Sequence, residues 1–163
     1  MEKMKELMPY IVIFVFVILL KLFVVTPIRV NGTSMMNTLH PKDIMILNKT
    51  AYLTKGPKRF DIVVVRLDDE DIIKRVIGLP GEVIEYKDNV LYVNGKKVEE
   101  KVKGLETADY KSEKIPAGSY LVMGDNREAS YDGRAFGFIK KNQILGRTSL
   151  VILPFNRIGY KNK

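Results

Sequence analysis

The 163-residue sequence has no cysteine and a single histidine, His40. The lack of cysteine excludes a disulfide framework, thiol catalysis and a cysteine-ligated zinc site. His40 lies in a polar, turn-like stretch and is expected at the surface, because a Ser-His-Asp triad would also need a carboxylate on its second nitrogen. The glycines form neither a GxGxxG motif nor a P-loop. We therefore expect no metal and no cofactor.

Long apolar runs are equally scarce, and the one present covers residues 7–28, where Lys21 is the only charged residue. As a helix this run would measure about 33 Å, close to the thickness of the hydrocarbon core of a bilayer. No small-residue cleavage site follows it, which argues against a removable export signal. We therefore expect a short tail at 1–6 and a single-pass membrane anchor at 7–28. Basic residues flank both ends almost equally, so charge does not indicate the orientation.

The rest of the chain, residues 29–163, is predicted to form one β-rich domain, since about 130 residues suffice for one core. Short runs rich in Val, Ile and Tyr alternate with Gly, Pro, Asn and Asp, which is typical of strands and turns. These runs lie at 43–48, 61–67, 71–79, 82–86, 90–93, 119–124 and 150–153. Asn94-Gly95 is a strong hairpin signal within a small excursion near 88–117. The charged stretch 99–113 is predicted to be a solvated loop or flexible excursion.

The net charge of +8 makes an anionic neighbour, such as lipid head groups, plausible, although an ordinary basic surface explains it equally well. The sequence has no basic stripe interleaved with aromatic residues and no RNA-binding motif. We therefore expect membrane lipids, and no nucleic acid, among its partners.

Ser34 and Lys74 are the best available nucleophile and base in a chain without cysteine. A lysine acts as a base only when its amine is neutral, and burial among apolar groups lowers its pKa. Strand alternation places Lys74 on one face together with Ile72 and Val76. Taken alone, however, the two residues fit a turn serine and a lysine that snorkels from an edge strand.

Four ordered blocks of the sequence give this pair a context. They are GTSMMNTL at 32–39, KDIMILNK at 42–49, RFDIVVVRL at 59–67 with IKRVIGLPGE at 73–82, and GDNREASYDGRAFGFI at 124–139. In order and spacing the blocks resemble bacterial type I signal peptidases of the short, Gram-positive-like form, which are membrane-anchored serine proteases that remove signal peptides from exported preproteins. The resemblance implies a mainly β, antiparallel fold of coiled sheets with one transmembrane helix. It also implies a plasma-membrane protein whose catalytic domain lies on the extracytoplasmic face.

The resemblance also implies roles for individual residues. Ser34 would be the acylating nucleophile and Lys74 its general base in a Ser/Lys dyad, and Ser130 would orient the lysine amine. The Ser34 backbone N–H would bind the oxyanion, whereas Gly32 stands where some family members have a serine donor. The supporting scaffold would consist of Asp125, Asn126, Arg127, Asp132 and Arg134, with Arg75 as the charge partner of Asp132.

A signal peptide would lie extended beside the strand that carries Ile72 and Ile73, with small residues in shallow apolar pockets. The pocket positions implied by the resemblance are Val30, Met35, Leu39, Val64, Ile72 and Ile73. Two positions depart from the family pattern: Asn37 replaces a proline, which predicts a less rigid Ser34 loop, and Gly133 replaces a serine.

Two other interpretations of the sequence remain. One is a self-cleaving repressor-type Ser/Lys protease, although such proteins carry a DNA-binding helical domain where this chain has an apolar segment. The other is a non-enzymatic, membrane-anchored basic β-domain.

Overall fold

The structure, a computed structural model, describes residues 2–102 and 104–161. A long helix, α1 (Glu2–Phe23), precedes a domain built from strands and one short helix, α2 (Gly133–Phe136). The first six strands are β1 (Val25–Arg29), β2 (Ile44–Asn48), β3 (Ile62–Leu67), β4 (Glu70–Gly78), β5 (Ile84–Lys87) and β6 (Val90–Val93). The remaining strands are β7 (Lys96–Val98), β8 (Tyr110–Lys111), β9 (Ser119–Met123), β10 (Ile139–Lys140), β11 (Ile144–Leu153) and β12 (Gly159–Tyr160).

The predicted anchor at 7–28 was wrong at its C-terminal end, because α1 stops at Phe23 and residues 25–29 form β1. The helix ends where β-branched residues lead into Pro27, whose ring disfavours helical backbone in the residue before it. β1 then pairs antiparallel with β2, with Pro27 opposite Ile46. Within the described residues, no helix has both the length and the apolar character needed to cross a membrane.

Within residues 2–102 and 104–161, the strands form two antiparallel sheets. The large sheet has the order β1-β2-β11-β3-β4-β9-β10, with β12 paired to β11. The small sheet has the order β7-β6-β5-β8. The mainly β, antiparallel fold expected from the sequence is therefore confirmed.

β3 and β4 form the centre of the large sheet and fix the position of Lys74. The apolar run of β3 is buried at its first four residues, as expected of a strand covered on both faces. β3 and β4 pair with Val63 opposite Lys74, and β4 pairs with β9 with Arg75 opposite Met123. Lys74 thus lies on a strand that is held by a neighbour along its whole length.

The small sheet confirms the hairpin predicted at Asn94-Gly95, which joins β6 to β7 with positive φ at both residues. The stretch 99–113 differs from the solvated excursion predicted there. Its residues Tyr110 and Lys111 form β8 beside β5, and Thr107 is buried. The sequence did not predict these tertiary contacts, because the stretch is charged and has no apolar periodicity.

In the part of the chain that the structure describes, buried apolar side chains form three clusters. One fills the space between the two sheets and includes Ile77, Leu121, Ile84 and Tyr86. A second contains Met35 and Leu39 together with residues of β2, β3 and β11. A third includes residues of β3, β4 and β9 on the other face of the large sheet. The second cluster matters for the site, since burial of Met35 and Leu39 ties the segment that carries Ser34 to the core.

Candidate active site

Ser34 lies on a tight turn between β1 and β2. The Met36 N–H donates to Thr33 O (3.0 Å), and the Leu39 N–H donates to Met35 O (2.8 Å). The backbone carbonyl of Ser34 accepts a hydrogen bond from the Asn126 N–H at 2.9 Å. The Asn126 side chain also donates to Thr33 O at 3.2 Å. The 124–134 segment therefore holds the Ser34 turn from behind and leaves the serine side chain on the open side.

Lys74 lies in the middle of β4 and is only 3% exposed. Its Nζ donates a hydrogen bond to Ser130 Oγ at 3.1 Å. Burial lowers the pKa of Lys74 and the nearby Arg134 guanidinium acts in the same direction, while Asp132 and Asp125 oppose them; the net pKa lies below the ordinary lysine value. The structure therefore gives Lys74 the environment that favours a neutral amine.

Ser34 and Lys74 line one cavity of about 440 Å³. No hydrogen bond between described residues joins Ser34 Oγ to Lys74 Nζ. Such contacts are often long in an enzyme without substrate and shorten when it binds. The cavity brings the two groups to one space that is large enough for a peptide segment.

The predicted pocket residues fall into two groups. Val30, Met35, Ile72 and Ile73 line the cavity beside Ser34 and Lys74. Leu39 and Val64 do not line it. Leu39 is fully buried in the second apolar cluster, and Val64 is buried on β3 opposite Ile73.

Two arginine–carboxylate pairs flank the lysine. The first joins Arg75 to Asp125, with Nε to Oδ1 at 2.7 Å and Nη2 to Oδ2 at 2.6 Å, and both side chains are almost completely buried. Thr38 Oγ1 also donates to Asp125 Oδ2 at 2.5 Å, which links this pair to the Ser34 turn. A doubly hydrogen-bonded arginine of this kind fixes the carboxylate in one orientation.

The second pair joins Arg134 to Asp132, with Nη2 to Oδ2 at 2.8 Å. The expectation that Arg75 would pair with Asp132 was therefore wrong. Arg75 lies opposite Met123 in the sheet, two residues before Asp125, whereas Asp132 caps the N-terminus of α2, which carries Arg134. Burial alone would raise the pKa of Asp132, but the hydrogen bonds from Arg134 and the Gly124 N–H keep that pKa below its usual value.

Gly124 is a site residue that the sequence-based assignment of roles missed, although it begins the GDNR block. A Cβ built at this position would overlap both Ser130 Oγ and the Ser34 carbonyl oxygen. Only glycine at this position allows the backbone to contact both the Ser34 turn and Ser130, the serine beside Lys74. Its position at the head of the block was the available signal.

The two departures from the family pattern have structural explanations. Asn37 has φ of 92°, which proline cannot adopt, and its side-chain amide donates to Gly104 O at 3.0 Å. The turn is therefore tethered at this point rather than loosened. Gly133 packs against β9 so closely that a Cβ would lie 2.7 Å from Val122 O. By contrast, a Cβ at Gly32 would meet no atom within 4 Å.

Arg157 and Asp43 form a further pair that sequence reasoning missed. Arg157 Nε donates to Asp43 Oδ1 at 2.8 Å and Nη2 donates to Oδ2 at 3.0 Å. Asp43 in turn accepts from the His40 N–H at 2.9 Å, at the end of the Ser34 turn. No local pattern connects residues 114 positions apart, so only the fold reveals this pair.

Comparisons with known proteins agree with this geometry. A family model described as signal peptidase, peptidase S26, matches residues 4–153. Signal peptidase IB of Staphylococcus aureus (strain MRSA252) is 40% identical over 180 residues, which cover 96% of this chain and 94% of the relative. Signal peptidase I of Bacillus caldolyticus is 40% identical over 176 residues, covering 98% of this chain and 97% of the relative.

A solved structure supports the same relationship. The crystal structure of a signal peptidase I from Enterococcus faecalis V583 is 38% identical, with a TM-score of 0.52, and the match covers 57% of this chain and 97% of that one. The resemblance found in the four sequence blocks is thereby confirmed, and it decides against a repressor-type protease and a non-enzymatic β-domain. The chain belongs to the signal peptidase I family, the serine endopeptidases of peptidase family S26 that remove signal peptides.

Proposed function

We propose that Ser34 and Lys74 are the nucleophile and the general base with which this chain cleaves signal peptides from exported preproteins. The carrying observation is the buried Lys74 amine, which faces the same cavity as Ser34 and lies 3.1 Å from Ser130 Oγ. A lysine with a lowered pKa is neutral in a larger fraction of molecules near neutral pH, and only the neutral amine accepts a proton.

The reaction has two halves. The Ser34 hydroxyl attacks the scissile carbonyl carbon, and Lys74 takes the hydroxyl proton and passes it to the leaving amine. Water then attacks the acyl ester, and Lys74 takes a proton from the water and passes it to Ser34 Oγ, which leaves as the alcohol. Ser130, which is hydrogen-bonded to Nζ, orients the amine throughout. Arg75 and Arg134 neutralise Asp125 and Asp132, which would otherwise favour the charged lysine.

The oxyanion of each tetrahedral intermediate would be held by the Ser34 backbone N–H. Among the hydrogen bonds of the described residues, none uses this N–H, which leaves it available to the substrate. Donors of this kind typically contribute about 3 kcal/mol to transition-state stabilisation. Gly32 supplies no second side-chain donor.

The substrate would add to β4 as an extended strand. Residues Glu70–Lys74 pair with β3 on one edge, and pairing with β9 begins only at Arg75 in the described structure. The second edge of Glu70–Lys74 therefore offers backbone groups to an incoming peptide, as in strand addition. Val30, Met35, Ile72 and Ile73 would form the apolar walls that receive small side chains one and three residues before the cut.

Membrane attachment through residues 7–23 is part of the same proposal. The side chains of residues 7–19 of α1 are exposed, among them Tyr10 (71%), Val12 (62%) and Phe14 (66%). These residues carry no charge, and an exposed apolar stretch of helix is suited to lipid surroundings. Such an anchor would hold the β-domain on the extracytoplasmic face of the plasma membrane, with anionic lipid near its basic surface. Alkaline carbonate extraction of the full chain from membranes tests this: release into the supernatant would contradict an anchor.

The proteolytic mechanism is tested with the purified full chain and a signal-peptide substrate that has alanine one and three residues before the cut. Mass spectrometry should locate a single cut after the second alanine. Ser34→Ala and Lys74→Ala should each abolish cleavage, while Lys111→Ala, which changes an exposed lysine of the small sheet, should cleave normally. Circular dichroism checks that each variant is folded. Cleavage by Lys74→Ala at the unsubstituted rate would overturn the assignment of the base.

A further inference from the structure

The loop between β7 and β8, residues 99–109, touches both halves of the candidate active site. Lys103 lies outside the described residues. Among the other loop residues, Glu100, Gly104, Leu105 and Thr107 make specific hydrogen bonds. The Asn89 side chain donates to Leu105 O at 2.9 Å and accepts from the Thr107 N–H at 2.8 Å. The loop is thus fixed to the small sheet, and the residues that the loop contacts are positioned relative to that sheet.

Its main contact is with the buried guanidinium of Arg127, which is 4% exposed. Arg127 Nη2 donates to Glu100 Oε1 at 2.6 Å, and Nη1 donates to Tyr86 Oη and Thr107 Oγ1, both at 2.8 Å. The Tyr86 hydroxyl donates in turn to Glu100 Oε2 at 2.8 Å, and the guanidinium lies 5.2 Å from the centre of the Tyr86 ring. Every one of these partners belongs to the small sheet or to its loop.

Arg127 belongs to the 124–134 segment and therefore links the small sheet and its loop to that segment. Its Nε donates to Gly124 O at 2.9 Å, and its own carbonyl accepts from Arg134 Nη2 at 2.6 Å. Gly124 is the residue that backs onto Ser34 O and Ser130 Oγ, and its N–H donates to Asp132. A displacement of Arg127 would therefore shift the contacts that set the distance between the Ser34 turn and Ser130, the serine beside Lys74.

The same loop holds the nucleophile turn from the other side. Asn37, which lies three residues after Ser34, donates through its side-chain amide to Gly104 O at 3.0 Å. The loop between β7 and β8 thus forms hydrogen bonds with the Ser34 turn at Asn37 and with the 124–134 segment at Arg127.

We propose that Glu100 is a positioning residue, which through Arg127 holds the 124–134 segment, with its Ser130, against the Ser34 turn. The proposal rests on the function assigned to Ser34 and Lys74 above. Glu100 does not line the cavity that contains Ser34 and Lys74, so its contribution passes through Arg127 and not through contact with substrate. The small sheet accordingly stabilises the relative positions of Ser34, Lys74 and Ser130. We call this support, which runs through Glu100 and Arg127, the brace.

The decisive variant is Glu100→Gln, which keeps the size and one acceptor oxygen but removes the charge that pairs with Arg127. We expect kcat to fall about tenfold or more with little change in KM, because a small misplacement of catalytic groups mainly affects the chemical step. Glu85→Gln is the matched control, since Glu85 lies in the same sheet and pairs with the exposed Lys111. It should leave kcat and KM unchanged.

A pH profile separates positioning from general destabilisation. Lys74 is faced by Ser130, by the Asp132–Arg134 pair and by Asp125 with its partner Arg75. Loss of the brace should admit water and loosen these contacts, so the acid limb of kcat/KM should move to higher pH in Glu100→Gln. A purely structural ion pair would lower the unfolding temperature without moving this limb.

Amide hydrogen exchange gives a readout that does not depend on activity. The Asn126 N–H, which donates to Ser34 O, should exchange faster in Glu100→Gln than in Glu85→Gln. If the unsubstituted protein failed to cleave signal peptides, the proposed function would fall while this measurement would still test the brace.

Two results would overturn the inference. One is a folded Glu100→Gln protein whose kcat, pH profile and Asn126 exchange match those of the Glu85→Gln control. If Glu100→Gln does not fold, Glu100→Asp replaces it, because this change keeps the charge but shortens the side chain that reaches Arg127. Glu100→Asp should lower kcat about threefold by the same route, and an unchanged kcat and exchange rate would then reject the brace.

Discussion

Lys74 Nζ lies 3.1 Å from Ser130 Oγ, on strand and segment positions that are 56 residues apart in the chain. This contact places the amine next to a hydroxyl that can orient it, while burial lowers the pKa of Lys74. The acid–arginine pairs around it decide how far the pKa falls, which makes the pH dependence of activity a direct test of the site.

Arg134→Gln should move the acid limb of kcat/KM to higher pH. The Arg134 guanidinium lowers the pKa of Lys74 and neutralises Asp132, so its removal favours the protonated amine. With Lys74 as the proposed base, activity would depend on the neutral amine and rise with pH through the pKa of Lys74, so a higher pKa would shift the limb to higher pH. Asp132→Asn should shift the limb the opposite way, since it removes a negative charge that raises the lysine pKa. If the acid limbs of Arg134→Gln and Asp132→Asn moved in the same direction, this explanation of the Lys74 pKa would be wrong.

Gly124→Ala should lower kcat by about a hundredfold or more, because the added methyl group forces Ser130 Oγ and the Ser34 turn apart. The matched control is Gly32→Ala, where a Cβ meets open space. Steady-state kinetics on the signal-peptide substrate and a thermal unfolding curve for each variant provide the measurement. Full activity in a folded Gly124→Ala protein would show that the close approach at Gly124 has no catalytic importance.

Gly32→Ser should raise kcat by about tenfold, which corresponds to about 1.4 kcal/mol of transition-state stabilisation. The substitution fits without a clash, and the resemblance to family members with a serine at this position implies that the added hydroxyl reaches the oxyanion. Gly32→Ala distinguishes the effect of the hydroxyl from that of a less mobile backbone. Equal kcat values for the serine and alanine variants would mean that the added hydroxyl does not reach the oxyanion.

Arg157→Gln should destabilise the folded domain by about 3–5 kcal/mol, because it leaves the buried Asp43 carboxylate without its cation. Asp43 has a pKa below its usual value: burial raises it, but Arg157 and the His40 N–H outweigh that effect. Its stabilising contribution is therefore present above the unfolded pKa of about 4 and is lost as pH falls through the lowered value. Urea unfolding between pH 3 and pH 7 should show this acid dependence in the unsubstituted chain and a smaller one in Arg157→Gln.

The exposed pair Arg66–Asp71 provides the control for that experiment. Arg66→Gln should change stability little, since solvent screens the charges of exposed pairs. A loss of stability as large as that of Arg157→Gln would show that burial of Asp43 is not the cause.

Local sequence patterns predicted most of the strands that carry the site. The runs at 43–48, 61–67 and 71–79 became β2, β3 and β4 within one or two residues, because unbroken Val and Ile favour buried strands whatever their partners. β11 was found only at its end, near 150–153, since Gly146 and three polar residues interrupt its apolar pattern. β1 was assigned to the membrane segment, as apolarity alone does not mark the end of a helix.

The sequence by itself indicated Ser34 and Lys74 as the reacting groups, because the four ordered blocks that contain them resemble those of type I signal peptidases. Tertiary structure alone decided the partners: Arg75 with Asp125 and not Asp132, Arg157 with Asp43, and Glu100 with Arg127. The physical reason is the separation along the chain of the residues that interact. Strand propensity and the burial of a lysine follow from near neighbours, whereas ion pairs depend on sheet register and loop packing, which bring together residues that no local pattern connects.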